Sequence, residues 1–257
     1  MEDDMTVKEI YERLSERIPE SLREAWDNDG LMCAADTTRE VRRALITLDV
    51  TEDVVDYAVA NEFDLIVSHH PLIFKPLGSV TEDDHVARKV ITLIRNDIAV
   101  ISLHTRADKV EGGVNDILAD ILRLRDVTPF GEGGLGRIGR LDEELNMEDF
   151  SYLVKGLLDC DGVRVADACI PIYRVAVVGG DGRSFLRDAI AEGADTFVSG
   201  RIGYNVMAEA AEMGINLLEA GHFFTEQPVT GFFQSLLMRL DPEMYVEIID
   251  SNLIKLI

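Results

Sequence analysis

Cysteine is scarce in this 257-residue chain: three residues, Cys33, Cys160 and Cys169, odd in number and without metal or redox spacing. That excludes a disulfide scaffold and points to a reducing compartment, the cytoplasm. Long apolar runs are absent, so no segment reads as a membrane span. The acidic start, Met-Glu-Asp-Asp-Met, lacks the basic-then-apolar layout of a signal peptide. Lysine is rare, at 6 residues against 19 arginines, and the 25 basic residues are outnumbered by 48 acidic ones. The resulting net charge of −23 argues against general nucleic-acid or anionic-membrane binding, because contacts to phosphate draw on Lys and Arg. An acidic, lysine-poor surface suits a high-salt cytoplasm, where screening weakens self-repulsion, and suits an ordinary acidic soluble protein equally well. Histidine is scarce too, with five in all, and their placement is the informative feature.

Hydrophobic content of 47% and a mean hydropathy of +0.05 describe a globular chain, long enough for one large or two modest cores. Thr6 and Glu9 form a capping box, and Val7, Ile10, Leu14 and Ile18 recur at helical spacing behind it. Short apolar strands then alternate with helices. Ala44–Leu48 is followed by a helix capped by Thr51, Leu65–Val67 by a helix from about His85, and Ala99–Leu103 by one opened at Gly112-Gly113. This βαβ rhythm predicts a parallel sheet. Glycines crowd residues 126–141, which read as strands and turns joining two halves. A helix over Asn146–Cys160, strands near Val163–Ala166, Arg174–Val178, Thr196–Val198 and Ile215–Leu218, and intervening helices give a second βαβαβ unit. A last helix over Thr225–Leu240 and a strand over Met244–Ile249 close the chain. The fold class is α/β, with two similar βαβ-type lobes over residues 1–125 and 126–257.

Four of the five histidines stand at carboxyl ends of predicted strands, where open α/β sheets place their ligand sites. His69 and His70 follow Ser68; His104 follows Leu103, with Asp108 four residues on; His222 follows Gly221, with Glu226 four residues on. The fifth, His85, lies in a polar run and reads as a surface residue. Any one of these histidines alone is best explained as a helix cap or hydrogen-bonded strand end, but four at one topological position are not. Imidazoles mixed with carboxylates suit Zn, Fe, Mn, Co or Ni, and without cysteine they do not suit a structural zinc site. Six donors exceed what one tetrahedral ion uses, whereas two ions about 3.5–4 Å apart would use them all. Gly179–Gly182 reads as a tight turn or as an anion cradle at a helix start. The Trp26–Asp29 loop reads as packed, with a place lining a cleft as the alternative.

The segments Trp26-Asp27-Asn28-Asp29-Gly30-Leu31, Ser68-His69-His70-Pro71-Leu72-Ile73-Phe74, His104-Thr105-Arg106-Ala107-Asp108, Gly112-Gly113-Val114-Asn115-Asp116 and Gly221-His222-Phe223-Phe224-Thr225-Glu226 resemble the NIF-three-like family. Its members are often labelled GTP cyclohydrolase I type 2-like, and the resemblance covers nearly the whole chain. It implies a dinuclear metal site between two α/β lobes, held by His69, His70, His104, Asp108, His222 and Glu226, with Asp108 or Glu226 bridging two divalent transition-metal ions. It also implies a toroidal homohexamer and, from the short 126–141 connection, the absence of the middle domain that longer members insert. One segment departs from the family: where members commonly carry an acidic residue and then a histidine, this chain has Gly200-Arg201-Ile202-Gly203-Tyr204-Asn205. The ligand positions are untouched, so the departure bears on substrate. The reading is a cytoplasmic metal-dependent hydrolase of a nucleotide or a related phosphorylated or cyclic small molecule, with a non-catalytic metal-binding regulator or metal-delivery protein as the rival.

Overall fold

A computed structural model describes residues 4–256; the first three residues of the acidic start lie outside it. In chain order the elements are α1 (Val7–Arg17), β1 (Gly30–Cys33), β2 (Arg43–Thr47), α2 (Glu52–Ala60), β3 (Leu65–Ser68), α3 (His85–Arg95), β4 (Ala99–Ser102) and α4 (Thr105–Lys109). There follow α5 (Val114–Ile121), β5 (Arg125–Phe130), β6 (Gly136–Leu145), α6 (Met147–Leu158), β7 (Arg164–Ala166), β8 (Ile172–Asp181), α7 (Leu186–Ala191), β9 (Thr196–Arg201), α8 (Tyr204–Ala210), β10 (Asn216–Glu219), α9 (His222–Glu226), α10 (Val229–Leu240) and β11 (Tyr245–Ile248). The architecture is mixed α/β with two sheets, as expected.

The first sheet runs β1-β4-β3-β2-β11, parallel except for the antiparallel edge strand β1. Central strands covered on both faces need continuous apolar runs, and Leu65, Ile66 and Val67 have no exposed surface. The capping box at Thr6 and Glu9 forms, and Thr51 caps α2 through Val54 N. Register decides what happens at the carboxyl edge. Ser68 pairs with Ser102 across β3 and β4, and Thr47 pairs with Ser68 across β2 and β3. The three strands therefore end level, and the residues just past them, Asp49, His69, His70 and His104, emerge side by side.

The second sheet runs β5-β6-β8-β9-β10-β7. Its parallel centre, β8-β9-β10, is the expected second βαβαβ core, but β5, β6 and β7 flank it as antiparallel strands. Asn146 caps α6 through Asp149 N, and Phe150, Val154 and Leu158 of that helix are buried with Val175, Val177 and Val198.

Three features differ from the sequence reading. The contacts divide the chain at Val110, ahead of the expected boundary at 125, because α5 packs against β8. The segment Val229–Leu253 returns to the first unit, where β11 extends the sheet beside β2. The expected helix over Thr225–Leu240 is two helices, α9 ending at Glu226 and α10 starting at Val229. Pro228 accounts for the break: it has no N–H to give, and its ring disfavours helical geometry in the residue before it.

Candidate metal centre

In the first unit the imidazoles of His69, His70 and His104 offer nitrogen atoms that all lie within 4.8 Å of one another. Their ring centroids are 5.0–5.7 Å apart. His69 is fully buried, and His70 and His104 are partly so. Each ring is held at Nδ1 by its own partner. His69 Nδ1 lies 3.0 Å from the carbonyl oxygen of Leu103, His70 Nδ1 2.7 Å from Asp49 Oδ1, and His104 Nδ1 2.8 Å from Asp27 Oδ1. A carbonyl or carboxylate can only accept, so these contacts keep the proton on Nδ1 and the lone pair on Nε2. Partners of this kind orient metal-binding imidazoles and raise their basicity. His69 Nε2 lies 3.5 Å from Asp108 Oδ1, on α4 one turn past His104.

Asp27 belongs to a network that fixes the Trp26–Gly30 loop. Its Oδ2 accepts from Thr105 N (3.1 Å) and Thr105 Oγ1 (2.6 Å), and Asp29 Oδ2 accepts from His104 N and Arg106 Nε, both at 3.1 Å. Burial opposes the charge on Asp27, but the His104 contact and the Thr105 donors outweigh it and lower its pKa to about 2. Burial likewise opposes the charged form of His104, yet the hydrogen bond to Asp27 and the charges of Asp108 and Asp27 hold its pKa above the ordinary imidazole value.

In the second unit His222 and Glu226 stand one turn apart on α9, with Nε2 2.9 Å from Oε2. Glu226 is 4% exposed, whereas the His222 side chain is 42% exposed. The glycine run ends at Gly182, which caps a single 3-10 turn, Arg183–Phe185, leading into α7. Strand β8 continues through Gly179 and Gly180 to Asp181, and α7 starts only at Leu186. Gly180 has φ +62, and a Cβ there would meet Glu226 Oε1 at 2.0 Å and His222 Cε1 at 3.2 Å. These glycines make room for the carboxylate. Thr225, where the sequence reading starts the last helix, instead donates back to Gly221 O or His222 O within the turn of α9 and accepts from Gly180 N. Glu226 consequently ends a helix rather than starting one.

The sequence reading named the six donors but missed Asp49 as a partner and treated Asp27 as part of a packed loop. Asp49 was detectable, since it follows a parallel strand at the same topological position as the histidines. His85 is exposed, as expected. In the departing segment Arg201 ends β9 exposed, and Tyr204 opens α8 at 76% exposure.

Residues 5–256 match the model of the Duf34/NIF3 (NGG1p interacting factor 3) family. The chain belongs to that family. It is 37% identical over 232 residues to a GTP cyclohydrolase 1 type 2 homolog of Clostridium perfringens, covering 88% of each chain. With the homolog of the same name in Bacillus subtilis the identity is 25%, over an alignment of 327 residues that covers 84% of this chain and 87% of the relative. That alignment is longer than this chain, so the Bacillus relative carries inserted residues that this family member lacks. Among solved structures, Staphylococcus aureus SA1388 superposes with a TM-score of 0.88 at 26% identity, covering 99% of this chain and 100% of that one. Reduced HcgD from Methanocaldococcus jannaschii superposes with a TM-score of 0.83 at 27% identity, covering 95% and 97%.

The donor chemistry fits a metal ion. Three imidazoles with Nδ1 engaged and a carboxylate beside them form a borderline set suited to Zn, Fe, Mn, Co or Ni. Among the described residues no helix is long and apolar enough to cross a membrane.

Proposed function

We propose that this chain is a dinuclear metal-dependent hydrolase acting on a nucleotide or a related phosphorylated or cyclic substrate, working in the cytoplasm as a homohexamer. His69, His70, His104, Asp108, His222 and Glu226 would together hold two divalent transition-metal ions. The observation that carries this reading is the three-imidazole cluster, in which each Nδ1 meets an acceptor and the nitrogen atoms converge within 4.8 Å of one another. The close approach of Gly180 to Glu226 and His222 supports the assignment of the remaining pair, since it matches the backbone to those two side chains. A nucleotide as substrate is supported by the name of the Clostridium relative.

Two ions bound side by side supply charge stabilisation at a phosphoryl or carbonyl oxygen and lower the pKa of water. The protein's own contribution is orientation. Leu103 O, Asp49 and Asp27 hold the three rings in one tautomer, and the loop before β1 is anchored to the cluster through Asp27 and Asp29. The test is a hydrolysis screen with nucleoside tri-, di- and monophosphates and cyclic nucleotides, run on protein loaded with Mn, Fe, Co, Ni or Zn. Turnover that disappears with chelator and in His69→Ala supports the hydrolase. Tight metal binding with no turnover of any nucleotide supports the metal-delivery or regulatory rival.

A further inference from the structure

The chain has one tryptophan, and it stands 64% exposed at the edge of the imidazole cluster. Burying an indole is worth a few kcal/mol, so a lone tryptophan left in water beside a candidate centre calls for an occupant. Trp26 does not stand alone. Its ring lies 6.2 Å from Phe74, itself 46% exposed, and 6.2 Å from His104, both edge to face. Phe74 in turn meets His104 at 6.2 Å and 90°. In an edge-to-face pair one ring turns its edge to a face of the other, which leaves the opposite face open to a third flat group, and offset or edge contacts are the arrangements aromatic quadrupoles favour.

The platform is also held in place. Asp27 is bound to His104 and Thr105, Asn28 Nδ2 donates to Ile73 O beside Phe74, and Asp29 is bound to His104 N and Arg106. Three consecutive polar side chains thus anchor the loop, and Trp26 is its exposed aromatic residue. Beyond Phe74 the surface opens into a pocket of about 530 Å³ whose rim carries Lys75 and Lys89, two of only six lysines in a chain of net charge −23. Lys89 is tied to Val50 O, and Lys75 is exposed.

We infer that the flat heteroaromatic ring of the ligand stacks on Trp26 and meets Phe74, inclined at 72° to it, edge-on, with Lys75 receiving an anionic substituent such as a phosphate. This rests on the nucleotide reading above and adds to it the residues that select for a base. Every nucleobase has a π-face, so the platform accepts a ring without reading its identity.

Because Trp26 is the only tryptophan, its emission reports the site directly. The full-length protein is titrated with GMP, guanosine and ribose 5-phosphate. GMP and guanosine are expected to quench emission in a saturable way, and ribose 5-phosphate to leave it unchanged. By equilibrium dialysis, Trp26→Ala is expected to weaken GMP binding about tenfold, within the range measured for base–aromatic stacking, with Trp26→Phe close to wild type. Lys75→Gln is expected to weaken GMP but not guanosine. GMP binding with unchanged emission, equal affinity in Trp26→Ala, or no response to any of the three compounds overturns the inference. So does emission that follows protein concentration and not GMP, which would assign Trp26 to a contact between copies. The hydrolase reading fails separately: quenching by GMP without turnover of any nucleotide removes the hydrolase and leaves the platform standing, whereas turnover with a silent Trp26 does the reverse.

Discussion

Asp27→Asn is the sharpest probe of how the cluster is oriented. The carboxylate accepts four hydrogen bonds: Oδ1 from His104 Nδ1 at 2.8 Å and Asn28 N at 2.9 Å, and Oδ2 from Thr105 N at 3.1 Å and Thr105 Oγ1 at 2.6 Å. An amide of the same shape can accept on one side only. If its NH₂ faces His104, the imidazole must accept at Nδ1, and the proton moves to Nε2, where it blocks ligation. If its NH₂ faces Thr105, the backbone N–H there loses its acceptor, at a cost of about 1–3 kcal/mol for a buried donor. Loss of an outer carboxylate partner typically lowers metal affinity about 10–100-fold, or about 1.4–2.8 kcal/mol at 1.4 kcal/mol per tenfold. Metal competition against a chelator of known affinity measures this. The sign of the pH effect follows from the raised pKa of His104. A metal needs the neutral ring, so wild-type affinity falls as pH drops through that raised value, and removing the Asp27 charge shifts the fall to lower pH. Affinity and pH profile both unchanged in Asp27→Asn would refute His104 as a ligand held by Asp27.

Other consequences are independent of that one. Gly180→Ala puts a methyl group on a left-handed backbone and against Glu226 Oε1; calorimetry should show a lower Tm, and elemental analysis a lower metal content than wild type. Glu219 is depressed in pKa because, against its burial, it accepts from Gly203 N and Ile202 N and faces Arg164. A depressed carboxylate stabilises the fold above its unfolded value near 4.5 and loses that contribution as pH falls below it. Denaturant unfolding should therefore find Glu219→Gln less stable than wild type at pH 7, with the gap narrowing from about pH 4.5 downward. The proposed homohexamer should strengthen with salt, because screening weakens repulsion between chains of net charge −23; light scattering showing a monomer at low and high salt would exclude it.

How far the sequence could be read depended on whether the information was local. The strands of both parallel centres were legible because buried parallel strands need unbroken apolar runs, as in Leu65–Val67 and Val175–Val178. Caps at Thr6, Thr51 and Asn146 were legible for the same local reason. The histidines announced themselves by falling after such strands. What was lost depended on pairing at long range. That β11 joins β2 across some 200 residues, or that Asp27 meets His104 over 77, is written in no local pattern. The single helix expected over Thr225–Leu240 fails for a local reason, since Pro228 separates a helix ending at Glu226 from one starting at Val229.

Elemental analysis after loading tests the proposed centre most directly. Protein purified without chelator, supplied with excess Mn, Fe or Zn and desalted, is expected to retain two ions per chain, and His69→Ala and Glu226→Gln are each expected to retain fewer. One ion or none per wild-type chain, under every metal tried, contradicts a dinuclear centre.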